Sequence, residues 1–114
     1  MPIQQWSDNI VLATLEDDPQ FSDELASLTD LAEQRRDVDI VLDLSGVNFL
    51  NSSNIAKLLR LRKVVVGNNG RQLKLCAIRT QVWGVFLVTG LDQVFDFADD
   101  VASGLASLQM QADR

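Results

Sequence analysis

The run Val38-Asp39-Ile40-Val41-Leu42-Asp43-Leu44 constrains this chain more than any other segment. Ile40, Val41 and Leu42 are apolar and consecutive, so a strand built from them needs cover on both faces. Strands of that kind lie inside sheets, and such sheets are mostly parallel with helices packed on them. The segments before it agree. Ile10 to Leu15 is β-prone and is stopped by Glu16-Asp17-Asp18-Pro19. Ile3 and Trp6 predict a preceding strand, which Pro2 restricts to a sheet edge. Phe21, Leu25, Leu28 and Ala32 recur at helical spacing. Ser22 is the expected N-cap of that helix, Asp23 and Glu24 fall in its first turn, and Arg35 and Arg36 in its last.

After the central strand, Ser45 to Leu50 forms a loop that leads to Asn51-Ser52-Ser53-Asn54, any of which can cap a helix. That helix is expected over about Ile55–Val66, burying Ile55, Leu58, Leu59 and Val66. Lys57, Arg60 and Lys63 then form an exposed basic stripe. Gly67-Asn68-Asn69-Gly70 ends the helix with residues that tolerate positive φ. Leu73 to Ile78 reads as a strand. Thr80 is expected to cap a helix that carries Val82, Trp83, Phe86 and Leu87 and stops at Gly90. Val94 to Phe97 reads as a short strand, and Asp99 as the cap of a last helix with Val101, Leu105 and Leu108 inside. The order ββαβαβαβα predicts an α/β fold: a mostly parallel sheet of four to five strands with about four helices and right-handed crossovers.

At 114 residues, one domain spanning 1–114 is expected. No apolar run approaches the roughly 20 residues of a membrane helix, so direct membrane insertion is not expected. Met1 to Trp6 has neither a basic region nor a long apolar stretch, which speaks against a signal peptide and for a cytoplasmic protein. With no His, histidine-based catalysis and His-ligated metals drop out, and no other catalytic constellation can be named. The expectation is a non-enzymatic protein without a cofactor. A net charge of −6 argues against nucleic acid as a partner, because phosphate contacts need clustered Lys and Arg. The charge is also uneven: residues 1–44 hold eleven of the sixteen acids, and residues 57–79 hold seven of the ten basic side chains and no acid. Such polarity suits a protein partner steered by electrostatics, and it also suits plain solvated surface.

The stretch VDIVLDLSGVNFLNSSNIAKLLRL, Val38 to Leu61, resembles the signature of STAS domains, the fold of bacterial anti-sigma-factor antagonists. In that family a central strand ends in D-L-S-x-V-x-F, and an Asp-Ser-Ser-Gly turn opens the second helix. Gly70, Leu73 to Ile78 and Thr89-Gly90-Leu91 match the later family features, so the resemblance covers nearly the whole chain. It implies an interaction module that binds an anti-sigma factor of the serine-kinase type. In phosphorylatable members the second serine of the turn receives the phosphate, and that position is Ser53 here. Two positions depart from the pattern: Asn51 replaces the Asp and Asn54 the Gly. The missing acid is one that could orient the serine hydroxyl. Asn54 is expected to take over the glycine's backbone space, since Asn tolerates the left-handed region.

Two readings of Ser53 stay open: a helix cap worth about 1 kcal/mol, or a phosphate acceptor whose added charge would act on a docked partner. Glu16-Asp17-Asp18 has oxygen ligands but no EF-hand spacing, so no metal site is expected. The resemblance implies that this loop lies beside the serine turn. The implied partner surface is then Glu16, Asp17, Asp18, Asn51, Ser52, Ser53, Asn54 and Lys57. An alternative is an unphosphorylated STAS subunit of a signalling scaffold or lipid-transport complex. Edge strands of an open sheet also leave room for a homodimer. Gly67 to Gly70 lacks a phosphate-loop pattern, Cys76 reads as a buried inert thiol, and Trp83 and Phe86 read as core, with Trp83 a candidate anchor for a partner.

Overall fold

The computed structural model describes residues 2–68 and 70–112, the last two by their backbone alone. The elements follow the expected order: β1 (Ile3–Ser7), β2 (Ile10–Glu16), α1 (Gln20–Gln34), β3 (Asp39–Gly46), α2 (Ser52–Val66), β4 (Leu73–Cys76), α3 (Thr80–Thr89), β5 (Asp96–Ala98) and α4 (Val101–Ala112). A 3-10 turn at Leu91–Gln93 precedes β5. The five strands pair in sequence order, β1-β2-β3-β4-β5. Only β1 runs antiparallel; β2 to β5 are parallel, with Val11 opposite Ile40 and Leu42 opposite Leu75. The fold is α/β.

β3 is the middle strand, and Ile40, Val41 and Leu42 are all fully buried. Their side chains alternate between two cores. Ile40 and Leu42 join Leu28 of α1, Leu58 of α2 and Phe86 of α3 in the larger one. Val41 faces the other way, with Ile10, Cys76, Leu105 and Leu108. Three helices thus cover one face of the sheet and α4 covers the other. Burial, with help from the Asp43 and Asp100 charges, pushes the Cys76 thiol up to about 11. Gly104 of α4 sits so close to it that a Cβ there would lie 2.6 Å from the Cys76 sulfur.

At the end of the sheet where the parallel strands begin, Arg71 pairs with Asp39 at 2.9 Å. The other Asp39 oxygen accepts the Gln72 N–H at 2.7 Å. Arg35 lies just past α1, outside its last turn, and donates to the Asp8 carbonyl between β1 and β2 at 2.9 Å. Arg36 lies beyond the helix as well.

Several local expectations are corrected. Ser22 is inside α1, whose N-cap position is filled by Pro19. The Asp18 carboxylate accepts both the N–H and the hydroxyl of Ser22 instead, at 2.9 and 2.7 Å. α3 opens after Arg79 with no side-chain cap, so Thr80 is its first helical residue. At the start of α4 the Ser103 N–H is accepted by Asp100 at 2.7 Å, not by Asp99. α2 buries Asn54, Leu58, Leu61 and Val65, whereas Leu59 and Val66 are 37% and 42% exposed and Ile55 is half-buried. Leu87 is likewise exposed, at 52%. β4 ends at Cys76, ahead of Ile78, and β5 begins at Asp96. In the turn after α2 only Gly70 takes a positive φ, +78°, among the described residues; Asn69 lies outside them. α3 stops at Gly90, as expected, and that glycine takes the left-handed conformation.

Candidate functional site

The carboxyl ends of β2, β3, β4 and β5 lie together, so the loops that follow them share one edge of the sheet. In open α/β sheets that edge is where binding residues gather. The residues singled out in the sequence sit in or next to the first two of these loops. Glu16 ends β2, Asp17, Asp18 and Asn51 lie in the loops, Ser52, Ser53 and Asn54 form the first turn of α2, and Lys57 stands one turn further on.

The loop after β3 is held by one carboxylate. Asp17 accepts the Asn48 N–H at 2.8 Å, the Asn48 side-chain amide at 2.9 Å and the Phe49 N–H at 3.2 Å. The Asn48 side-chain bond, then its backbone bond, hold the Asp17 carboxyl below its ordinary value. Asp18 reaches across to α2 and accepts the Asn54 side-chain amide at 2.9 Å. That bond, followed by those from Ser22, lowers the Asp18 carboxyl too. The acidic loop and the serine turn are therefore stitched together through side chains more than 30 residues apart in sequence. Glu16 is exposed, and its own N–H is bound by the Gln20 side chain at 2.7 Å.

Asn51 is the N-cap of α2, and its side chain accepts the Asn54 N–H at 2.8 Å. In return the Asn51 N–H donates to the Asn54 side-chain oxygen at 3.1 Å. This reciprocal capping box accounts for both departures from the family turn. Asn54 has ordinary helical backbone and is 4% exposed, so its side chain, and not a left-handed backbone, is what the position uses. Ser52 and Ser53 are exposed in the first turn of α2. Ser53 accepts a hydrogen bond from Lys57 at 2.7 Å. Lys57 then lines a groove of about 250 Å³ between α1 and α2, with Leu25, Ala26, Thr29, Asp30 and Arg60.

One residue on this edge is missing from the sequence-level set. Phe49 is 77% exposed although its backbone is held by Asp17. The tether comes from 32 residues away, and sequence spacing carries no trace of it. Arg79 joins the same edge by donating to the Ser45 carbonyl at 2.7 Å. Trp83 is half-buried and packs edge-on against Phe97, with ring centroids 4.9 Å apart, so it belongs mainly to the aromatic cluster of Phe86, Phe95 and Phe97. Among the described residues no group of three His, Cys, Asp or Glu side chains is placed to hold a metal ion, and no helix is long and apolar enough to cross a membrane.

The STAS domain family model matches residues 19–104 of the chain. Among solved structures, an anti-sigma-factor antagonist (STAS) domain protein from Planctomyces limnophilus is similar at a TM-score of 0.80 and 18% identity, covering 94% of this chain and 97% of that one. A variant of RsbS from Moorella thermoacetica gives a TM-score of 0.81 and 19% identity, covering 99% and 97%. A chain of the stressosome, described as a signal integration and transduction hub, gives 0.76 and 20%, covering 99% and 100%. Identities of this order speak for the shared fold.

Proposed function

The chain belongs to the STAS domain family, and from that premise we propose that it is a regulatory interaction module of the anti-sigma-factor-antagonist kind. Its partner is an anti-sigma protein of the serine-kinase type, which docks on the edge formed by Glu16, Asp18, Phe49 and the first turn of α2. Phosphorylation of Ser53 turns the binding off. The observation that carries this reading is the exposed Ser53 in the first helical turn, beside an acidic loop joined to that turn by the Asp18–Asn54 hydrogen bond. An added phosphate of about −2 charge would place a bulky, strongly hydrated dianion where a docked partner has to pack against a neutral hydroxyl, and desolvating it opposes docking.

The antagonist and RsbS-like structures above lend support at the level of family. The test uses the purified chain, a kinase-type anti-sigma protein encoded beside it, and ATP. Intact mass and fragment spectra are expected to show one phosphate at Ser53 and none at Ser52, with Ser53→Ala binding constitutively and Ser53→Asp binding weakly. No phosphate, together with parent-like binding by Ser53→Asp, removes the switch.

A second reading is favoured by one specific observation: the Asn51 and Asn54 side-chain oxygens cap each other's backbone N–H groups, so the turn has an amide where the family pattern has its acid. A turn without the family acid suits a constitutive scaffold subunit, and the likeness to a stressosome chain supports it. Under that reading the chain assembles with other STAS domains whether or not ATP is present.

A further inference from the structure

Ser53 and Lys57 stand one helical turn apart on the same face of α2. The Lys57 ammonium lies 2.7 Å from the Ser53 oxygen. An ammonium has three donors and no acceptor, so Ser53 must be the acceptor in this bond. Its own proton stays free to be given away. Neither neighbouring family position brings a carboxylate to the hydroxyl, because Asn51 and Asn54 are neutral amides engaged with each other. Charged groups near this pair among the described residues come from three elements. From the loop before α1 comes Asp18, whose carboxyl feels the Lys57 charge. From α1 comes Asp30, which lines the same groove, and from α2 Arg60, whose guanidinium lies 3.9 Å from Glu33.

We propose that Lys57 is a positioning residue for Ser53 phosphorylation, holding the hydroxyl before phosphoryl transfer and pairing with the phosphate afterwards. This rests on the phospho-switch reading. In the transfer, the Ser53 oxygen forms a bond to the γ-phosphorus of ATP held by the kinase. The bond from that phosphorus to the ADP oxygen breaks, its electron pair leaves with ADP, and the hydroxyl proton passes to a base of the kinase. Lys57 neither gains nor loses a proton. It takes the place of the orienting acid that the family pattern puts at Asn51, with opposite charge, and so acts on the product where an acid would repel it. An ammonium–phosphate bond is charge-assisted and stronger than its neutral counterpart.

The experiment places phosphoserine at position 53 of the full chain by genetic encoding, which needs no kinase, and follows the phosphate by ³¹P NMR against pH. With Lys57 present, the second ionisation is expected about half a pH unit or more below the ordinary value near 6. Lys57→Gln should return it to that value and Lys57→Arg should keep it low. A purely structural role for Lys57 would leave the phosphate titration unmoved, and identical titrations in the parent and Lys57→Gln overturn the proposal. With the kinase and ATP, Lys57→Gln should be phosphorylated about tenfold more slowly at saturating kinase and Lys57→Arg at nearly the parental rate, the size expected for one lost charge-assisted contact. A phosphate pairing seen by NMR in a chain that no kinase modifies would sustain the Lys57 pairing and sink the switch.

Discussion

At the scale of single residues, the acidic loop divides by task. Asp17 is occupied in holding the loop after β3, Asp18 in joining α1 to α2, and only Glu16 presents its carboxylate without a hydrogen bond or ion pair among the described residues. Charge reversal at Glu16 is therefore the clean probe of electrostatic steering, since reversal at Asp17 would also release the loop. The Asp17 carboxyl is lowered from its ordinary 3.8 in the folded protein. The unfolded chain thus binds the extra proton first, so the loop's contribution is complete above pH 3.8 and is lost as pH falls through the lower folded value. The Asn48 and Phe49 amide resonances are expected to shift with a midpoint below 3.8, and in Asp17→Asn that transition should vanish. Phe49 is an aromatic on a pinned backbone, so little conformational freedom is lost when a partner covers it. Phe49→Ala should weaken binding to the kinase-type partner about 30-fold, mainly through dissociation, as expected for a hot spot, with an unchanged melting temperature. Unaltered affinity in surface plasmon resonance would exclude Phe49 as an anchor.

At the scale of elements, the helices and strands and the buried face of α1 are legible in the sequence, while several caps and the face of α2 are not. Ser22, Thr80 and Asp99 all have capping chemistry, yet the residue that caps is the one whose backbone leaves the helix at that point, and the tertiary path of the loop decides it. Asn51 and Asp100 meet that condition. The face of α2 was ambiguous for a different reason. Leu58 and Leu59, and Val64 to Val66, are apolar on adjacent positions, so more than one stripe fits, and packing against α1 and the sheet selects Leu58, Leu61 and Val65. Asn51→Ala removes one half of the capping box and should cost about 1 kcal/mol, up to about 2, measured by chemical denaturation. Gly104→Ala tests the contact between α4 and β4. Its new methyl meets the Cys76 sulfur in a packed interior, where overpacking costs about 1–3 kcal/mol. Calorimetry showing no loss would mean that α4 can shift outward without cost.

At the scale of the whole molecule, the central strand was the strongest signal because its three consecutive apolar residues satisfy two cores at once. The same logic makes Leu42 the most damaging place for a charge. Leu42→Asp buries an unpaired carboxylate at several kcal/mol, against a total stability of about 5–15 kcal/mol for a domain. The expected outcome is loss of the cooperative thermal transition by circular dichroism, and an unchanged transition would show that the strand is not central. What the sequence could not convey at this scale is how distant loops meet. The Asp17–Asn48 and Asp18–Asn54 bonds join positions 31 and 36 apart, and such contacts follow from the strand register and not from local pattern.

The sheet pairs its strands in strict chain order, and this bears on how the molecule can be made. Each new strand finds its partner in the strand just before it, so no gap in the sheet has to be held open for a later segment. Between neighbouring parallel strands lies one crossover helix, and loops of that length close at modest entropic cost. A nascent chain emerging amino end first can add β2, α1 and β3 in succession, and then α2 and β4, each step burying apolar surface on what already exists. Only the side of the sheet reserved for α4 waits until that helix has been made. Until then Ile10, Val41 and Cys76 stay uncovered, so once α3 is in place the chain carries its remaining sticky surface on one side alone. Chaperone capture during synthesis should accordingly be brief and should end when Leu105 and Leu108 arrive.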